Sequence, residues 1–370
     1  MQLYNFQNMD LIKAGIFKIK LYQFGIAFVL YLILKPVDQS RDGIFVWDAI
    51  HFKHIIEWGY GCEYLLAFFP GIPLIGVLLN AVFWYIPKVY LIVIFVNMSH
   101  LIAVKYLGKL GIKLGIKNID RLQLMMMFTP QVMLLSTLYS EFPFAALTYY
   151  GIYALLNEQI GFCIVSFTIA SIFRSNGVVN IGYLVWWIIR KGLTRSVSIR
   201  DGFKVLLGAM FISLPFILFQ YYSHILYCPG RPWCNRFSNY SFVQKEYWDS
   251  GLFLYYTTNN IFNFALVIPI QVICLFYVGN VYASSSLVKK KMSFIQLFVH
   301  PLTPCIVQLY FYIAYGSIAM HVNTLLRVLS SNPAFYFVML EATKNKVLLG
   351  VYCFYYAFTF VCNIVFVPPA

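Results

Sequence analysis

Asp48 is the residue whose surroundings most need explaining. It stands in "VWDAIHFKHIIEWGY" (46–60), beside Trp47 and close to His51 and His54, in a chain with only 13 acidic residues among 370. From Trp47 to Trp58 there is no proline or glycine, and Gly59 supplies a stop, so the stretch predicts a helix. On that helix Asp48, His51, Phe52 and Ile55 share one face at i, i+3, i+4 and i+7, while Lys53 and Glu57 fall on the opposite side. The carboxylate is thus set apart from the ordinary charged face and grouped with aromatic and apolar neighbours. An acid in a first turn also suits the helix dipole. From spacing alone, a capping carboxylate and a functional one remain equal readings.

Three further clusters carry polar chemistry. "TLYSEF" (137–142) places Glu141 at the edge of an apolar segment, and "FRSNG" (173–177) places Arg174 and Asn176 at a similar junction. The third runs from Cys228 to Phe264 and begins "CPGRPWC". Each acid or arginine alone reads as a helix-end polar residue; together they suggest one polar pocket at a membrane surface. There is no Asp-x-Asp to clamp a metal diphosphate, no phosphate-binding glycine loop, no His-Glu-x-x-His and no Gly-x-Ser-x-Gly. No metal site is expected. Cys228 and Cys234 are spaced so that a disulfide is sterically allowed in an oxidising compartment.

The elements that must position these residues are membrane helices. The chain is 61% hydrophobic and only 11% charged, a surface that water-compatible groups could not cover in a soluble domain. Its net charge of +14 would suggest nucleic acid in a soluble protein, but the distribution of that charge speaks for a membrane and no nucleic acid. Apolar segments of about 14 to 20 residues recur, giving about ten expected spans: 16–34, 86–104, 122–138, 142–157, 160–174, 177–190, 204–222, 262–282, 302–320 and 347–367. The first contains Lys18 and Lys20 and is followed by "KPVDQSRDG", which reads as a retained signal anchor. With a cytosolic N-terminus, most of the 27 basic residues fall on the cytosolic side, in clusters at 105–121, 190–204 and 289–291. Topology alone accounts for such clusters; binding of anionic lipid is the functional alternative. Ionisable residues are nearly absent from the spans, which argues against an ion-coupled transporter. The expectation is a single polytopic domain over 1–370, with lumenal loops at 35–85 and 223–261 and a shorter one at 321–346.

At this point a family resemblance becomes specific. "WDAIHF" followed by "GY", "AFFPGIP", "LYSE", "FRSNG", "RPWC", "YSFVQKEYWDSGLF" and "NNIFNF" occur in order between residues 46 and 264, with a weaker match at "HVNTLLRVLSSNP" (321–333). These words resemble the PIG-V-like family of glycosylphosphatidylinositol (GPI) mannosyltransferases. Gly71-Ile72 and Phe262 depart from the family pattern, but neither touches a candidate catalytic group. The resemblance implies an all-α, GT-C-type glycosyltransferase of the endoplasmic reticulum membrane with its active site on the lumenal side. It implies transfer of a second mannose, α-1,6-linked, from dolichyl phosphate mannose to a mannosyl-glucosaminyl-acyl-phosphatidylinositol. Both substrates are lipids, no cofactor beyond the donor is implied, and a small accessory membrane subunit is a candidate partner.

The first lumenal loop carries the family's expected catalytic aspartate, which matches Asp48. Inversion from a β-linked donor to an α product needs one in-line displacement. One carboxylate acting as general base suffices, because a phosphate leaving group needs little acid help. Arg174 and Arg231 are the candidates to grip the departing phosphate. Trp47 and Trp233 would offer sugar-stacking or interfacial surfaces, and His51 would hold Asp48 or simply pack. Glu63, Glu141, Asn176 and Gln244 complete the candidate substrate-binding set. The rival readings are another dolichol-dependent transferase, a lipid-linked-sugar scramblase and a silent scaffold subunit.

Overall fold

The structure is a computed structural model and describes residues 6–34, 44–287 and 292–365. "KPVDQSRDG" and Lys289 to Lys291 lie outside the described residues. Among those described, every regular element is a helix. Five helices are long and apolar enough to cross a bilayer: Gly15–Ile33, Lys88–Lys113, Ile199–Tyr227, Thr258–Phe276 and Lys346–Val365. The chain is a multi-pass membrane protein. The remaining apolar helices are shorter. Glu141–Leu156, with 16 residues, rises only about 24 Å against a hydrocarbon core of roughly 30 Å.

Local chemistry interrupts several of the expected spans. The segment 122–138 is not one helix: Ile119–Met127 ends before Thr129-Pro130, and a single turn, Val132–Leu135, follows. Pro130 lacks an N–H and disfavours helical geometry in the residue before it, while Gln131 takes a left-handed φ of 65°. The expected span at 177–190 starts instead as a 3-10 turn, Ser175–Asn180, and becomes α-helical from Ile181 to Thr194. The expected span at 262–282 divides into Ile261–Phe276 and Val278–Ser284.

The largest correction concerns 321–346, expected as a loop in the lumen. It forms two helices, Val322–Ser330 and Pro333–Ala342, and the second is buried along its whole length. "SSNP" makes the joint. Asn332 caps the second helix, its side chain accepting from the Ala334 N–H at 2.7 Å, and Pro333 occupies the first helical position, where its missing donor costs nothing. Inside the bundle the Asn332 amide donates to Gln308 Oε1 at 2.9 Å, and the Gln308 amide donates to Asn180 Oδ1 at 3.0 Å. Because each buried polar group here has a partner, the ladder fixes one depth for the helix pair.

The site rests on a tighter packing. Helix Glu141–Leu156 lies between Lys88–Lys113 and Ile160–Phe173, and the last of these also packs on Ile199–Tyr227. Where Ile160–Phe173 ends, the chain turns at Arg174 and runs back past its own helix. Gly177 makes that return feasible: a Cβ there would stand 2.5 Å from the Cα of Ser171. The glycine of "FRSNG" is therefore a packing requirement for the arginine three residues before it. Gly177→Ala should destabilise the protein by about 1–3 kcal/mol through overpacking against backbone. A lower melting temperature in detergent is the expected result; an unchanged one would remove this role for Gly177.

Candidate functional site

The helix expected around Asp48 runs from Asp48 to Trp58, with Ala49, Phe52, Ile55 and Ile56 buried and Lys53 paired with Glu57 at 3.9 Å on its other side. Trp47, just before it, has φ 47°, a left-handed conformation that a bulky side chain adopts only where its surroundings impose it. Trp47 and Asp48 line a cavity of about 990 Å³. Arg174, Asn176 and Gln244 line it too, as do Arg327, His321 and Trp248.

Four charged side chains form one connected cluster on this wall. Asp48 Oδ2 meets Arg327 Nη1 at 2.6 Å, and Arg327 Nε donates to Glu141 Oε1 at 2.7 Å. Glu141 also pairs with Arg174. The guanidinium of Arg327 lies over the Tyr139 ring, 4.8 Å from its centroid. Glu141 is the buried member, with its side chain 1% exposed, whereas that of Asp48 is 21% exposed and faces the cavity. Burial pushes the Glu141 carboxyl upward, but the two arginines outweigh it and hold the group down at about 2. Arg174 reaches Asn176 Oδ1 at 3.3 Å, and the Asn176 amide donates to the Tyr312 hydroxyl at 3.3 Å, which sets the angle of the "FRSNG" turn.

A second cluster lies apart from the cavity wall. Glu63 is buried and receives Arg231 Nε at 2.9 Å, the Tyr247 hydroxyl at 2.6 Å and the Trp233 indole N–H. Burial would raise its carboxyl, yet these hydrogen bonds and the arginine's charge bring it below its ordinary value. Cys228 and Cys234 are joined in a disulfide that closes the loop carrying Arg231 and Trp233. Arg231 thus faces Glu63 rather than the Asp48 cavity. Trp233 is completely buried, which corrects the expectation of a sugar-facing or interfacial ring. His51 packs among rings, stacked on Phe68 at 5.1 Å and edge-on to Trp248 at 5.3 Å. Burial lowers its pKa, against the opposing charge of Asp48.

Sequence reasoning overlooked Arg327, the direct partner of Asp48. Its signal was a lone cation in "TLLRVLSS", flanked by Leu325, Leu326, Val328 and Leu329, all of them buried. An arginine among such neighbours needs a buried acid. It also overlooked His321 and Trp248. Their Nδ1 and Nε1 atoms are buried without a hydrogen-bond partner, while both residues line the cavity. No group of three metal-ligating side chains occurs among the described residues.

Comparison with known proteins identifies the family. The model of a family described as mannosyltransferase (PIG-V) matches residues 27–348. The chain is 28% identical over 361 residues to the GPI alpha-1,6-mannosyltransferase 2 of Rattus norvegicus, covering 80% of this chain and 72% of that protein. The Homo sapiens protein of the same name is 28% identical over 370 residues, 81% of this chain and 74% of its own length. The GPI mannosyltransferase 2 of Candida albicans is 26% identical over 366 residues, 90% of this chain and 87% of its own length. No solved structure matches.

Glu141 gives the cluster a pH signature. Its carboxyl titrates at about 2 in the folded protein against an ordinary 4.5. The stability it contributes is therefore present above pH 4.5 and drains away as pH falls from there toward 2. Glu141→Gln leaves two half-buried guanidinium groups short of a buried counter-charge and should cost about 3–5 kcal/mol near neutrality. In thermal melts the gap between wild type and variant should narrow as pH drops below 4.5. A gap that stays constant with pH would show that Glu141 does not hold the arginines by charge.

Proposed function

The chain belongs to the PIG-V family of mannosyltransferases, and on that footing we propose that it adds an α-1,6-linked mannose to a GPI precursor. In this reading the donor is dolichyl phosphate mannose and the acceptor a mannosyl-glucosaminyl-acyl-phosphatidylinositol. The cavity faces the lumen of the endoplasmic reticulum, in a GT-C-type architecture. The observation that supports the reading most directly is the Asp48 carboxylate, standing on a cavity wall with Arg327 and Arg174 beside it.

The roles follow from that geometry. Asp48 accepts the proton of the acceptor's 6-hydroxyl as its oxygen attacks the anomeric carbon of the donor. The bond from that carbon to the phosphate oxygen breaks on the opposite face, so a β-linked donor gives an α product in one displacement. Negative charge grows on the departing dolichyl phosphate, and a fixed guanidinium stabilises it without reorganising. Arg174 is the arginine suited to this task, since it lines the cavity with Asn176 beside it, whereas Arg231 is committed to Glu63. Arg327 orients Asp48. Trp248 and His321 line the same cavity, where their rings offer surfaces for the sugar.

Asp48→Asn keeps the volume of the side chain, and Glu141 still holds Arg327, so the variant should insert and fold normally. Its rate of transfer to a defined one-mannose acceptor should fall by about 10²- to 10⁴-fold. Near-normal product formation would rule out the general-base role. Transfer should also survive treatment with EDTA, because charge on the leaving phosphate is met by guanidinium groups. Loss of activity restored by manganese or magnesium would reassign that charge stabilisation to a metal.

A further inference from the structure

A second, apolar cleft of about 430 Å³ lies on the bundle, meeting the Asp48 cavity only at Phe173, which lines both. Helix Lys88–Lys113 forms one wall with Phe95, Ile102 and Tyr106; Leu147 and Tyr150 of the neighbouring helix form the other. From Phe95 to Tyr106 the cleft runs about 16 Å along the helix axis. It is open on the bilayer side, where Ile94, Met98 and Ile102 of the same helix are exposed. The two ends differ in charge. Near Phe95 it is closed by Phe173, and the adjacent Arg174 is engaged with Glu141. At the Tyr106 end it meets the basic run "YLGKLGIK".

Continuing the Phe95–Ile102–Tyr106 face by one turn brings Lys109, and Lys105 flanks it. The Lys109 ammonium lies over the rings of Tyr106 and Tyr153, at 5.0 and 5.3 Å from their centroids, so it is held at the mouth of the cleft. Lys105 is exposed. Lys113, one turn further, donates to Asn157 Oδ1 at 2.7 Å. The neighbouring acid, Glu158, accepts from the Trp187 indole at 2.9 Å. An apolar channel of fixed length, ending in tyrosines and two lysines that make no ion pair among the described residues, is complementary to a tail with an anionic head.

We infer that this cleft is a binding site for one anionic phospholipid of the surrounding bilayer. An acyl chain lies between Phe95 and Tyr106, and the headgroup phosphate meets Lys105 and Lys109. This assigns the basic run a ligand as well as a topological role, and it is independent of the reaction carried out in the Asp48 cavity. The test is retention of lipid by the purified full-length chain in detergent with equimolar phosphatidylserine and phosphatidylcholine, followed by quantification of the lipid carried through size exclusion. Wild type should retain phosphatidylserine preferentially. Lys105→Gln with Lys109→Gln should weaken that retention about twenty-five-fold, each lysine near an anionic headgroup contributing a factor of about five. Ile102 is 45% exposed, so a larger side chain there need not disturb the bundle. Ile102→Trp should fill the cleft and abolish retention with both lysines intact. Equal retention of the two lipids by wild type overturns the proposal, as does undiminished retention by either variant. If the cleft instead takes the tail of the acceptor glycolipid, Ile102→Trp alone will raise the acceptor KM and the lysine variant will retain phosphatidylserine normally, which also overturns it.

Discussion

A carboxylate that water barely reaches holds the site together. Glu141 opens a helix packed between Lys88–Lys113 and Ile160–Phe173, and taking an unpaired carboxylate out of water there would cost several kcal/mol. It is tolerated because two guanidinium groups arrive from distant parts of the chain, Arg174 after one helix and Arg327 from the buried pair near the C-terminus. The dependence is mutual. Neither arginine could sit at the inner wall of an apolar bundle without that charge. The polar ladder through Asn332 and Gln308 sets the depth at which Arg327 arrives. Gly177 sets how closely Arg174 can turn. Asp48 then meets an arginine whose position is already decided, so its carboxylate is oriented by the scaffold and not by its own short helix.

The Asp48 helix was legible in the sequence because its signals are local. A run free of proline and glycine, a stop at Gly59 and a segregated face are all contained within about a dozen residues. Arg327 was not legible for the opposite reason. Its partners lie 186 and more positions away in the chain, and no periodicity encodes such a pairing. The apolar run after it, "PAFYFVMLEA", is too short to read as a span and reads as part of a loop, although its ten residues are buried throughout. Length separates spans from loops only when every buried helix crosses the membrane, and this one does not. The same limit explains the segment 122–138. Its hydrophobicity reads as one crossing, while Pro130 and the left-handed Gln131 break it in two.

Arg231 and Trp233 show where shared loop position misleads. They lie in a polar, aromatic segment with a closing disulfide, features that suit substrate contact. Their side chains instead converge with Tyr247 on Glu63. The result is a clamp between the first loop and the helix Tyr240–Trp248. That helix delivers Gln244 and Trp248 to the cavity, so the clamp shapes the site without entering it. A buried acid with three donors is a strong fastening, since each hydrogen bond to the charged group is roughly twice as strong as a neutral one.

The charge balance of the two clusters fits this division of labour. In the clamp, one acid meets one arginine together with two neutral donors, and nothing is left over for a ligand. In the cavity, two acids meet two arginines, which also sums to zero, but the members differ in exposure. Glu141 is sealed, whereas Asp48, Arg327 and Arg174 have side chains that are 21%, 13% and 14% exposed. On the proposed reading, the neutral total means that the donor phosphate is not captured by net positive charge. On that reading it is met instead by directed N–H donors on Arg174, which act at short range. Such a site can stabilise charge while it develops on a leaving group without retaining the departed lipid phosphate as tightly as an uncompensated cation would. For a transferase that must exchange one lipid for the next, that is the more useful arrangement.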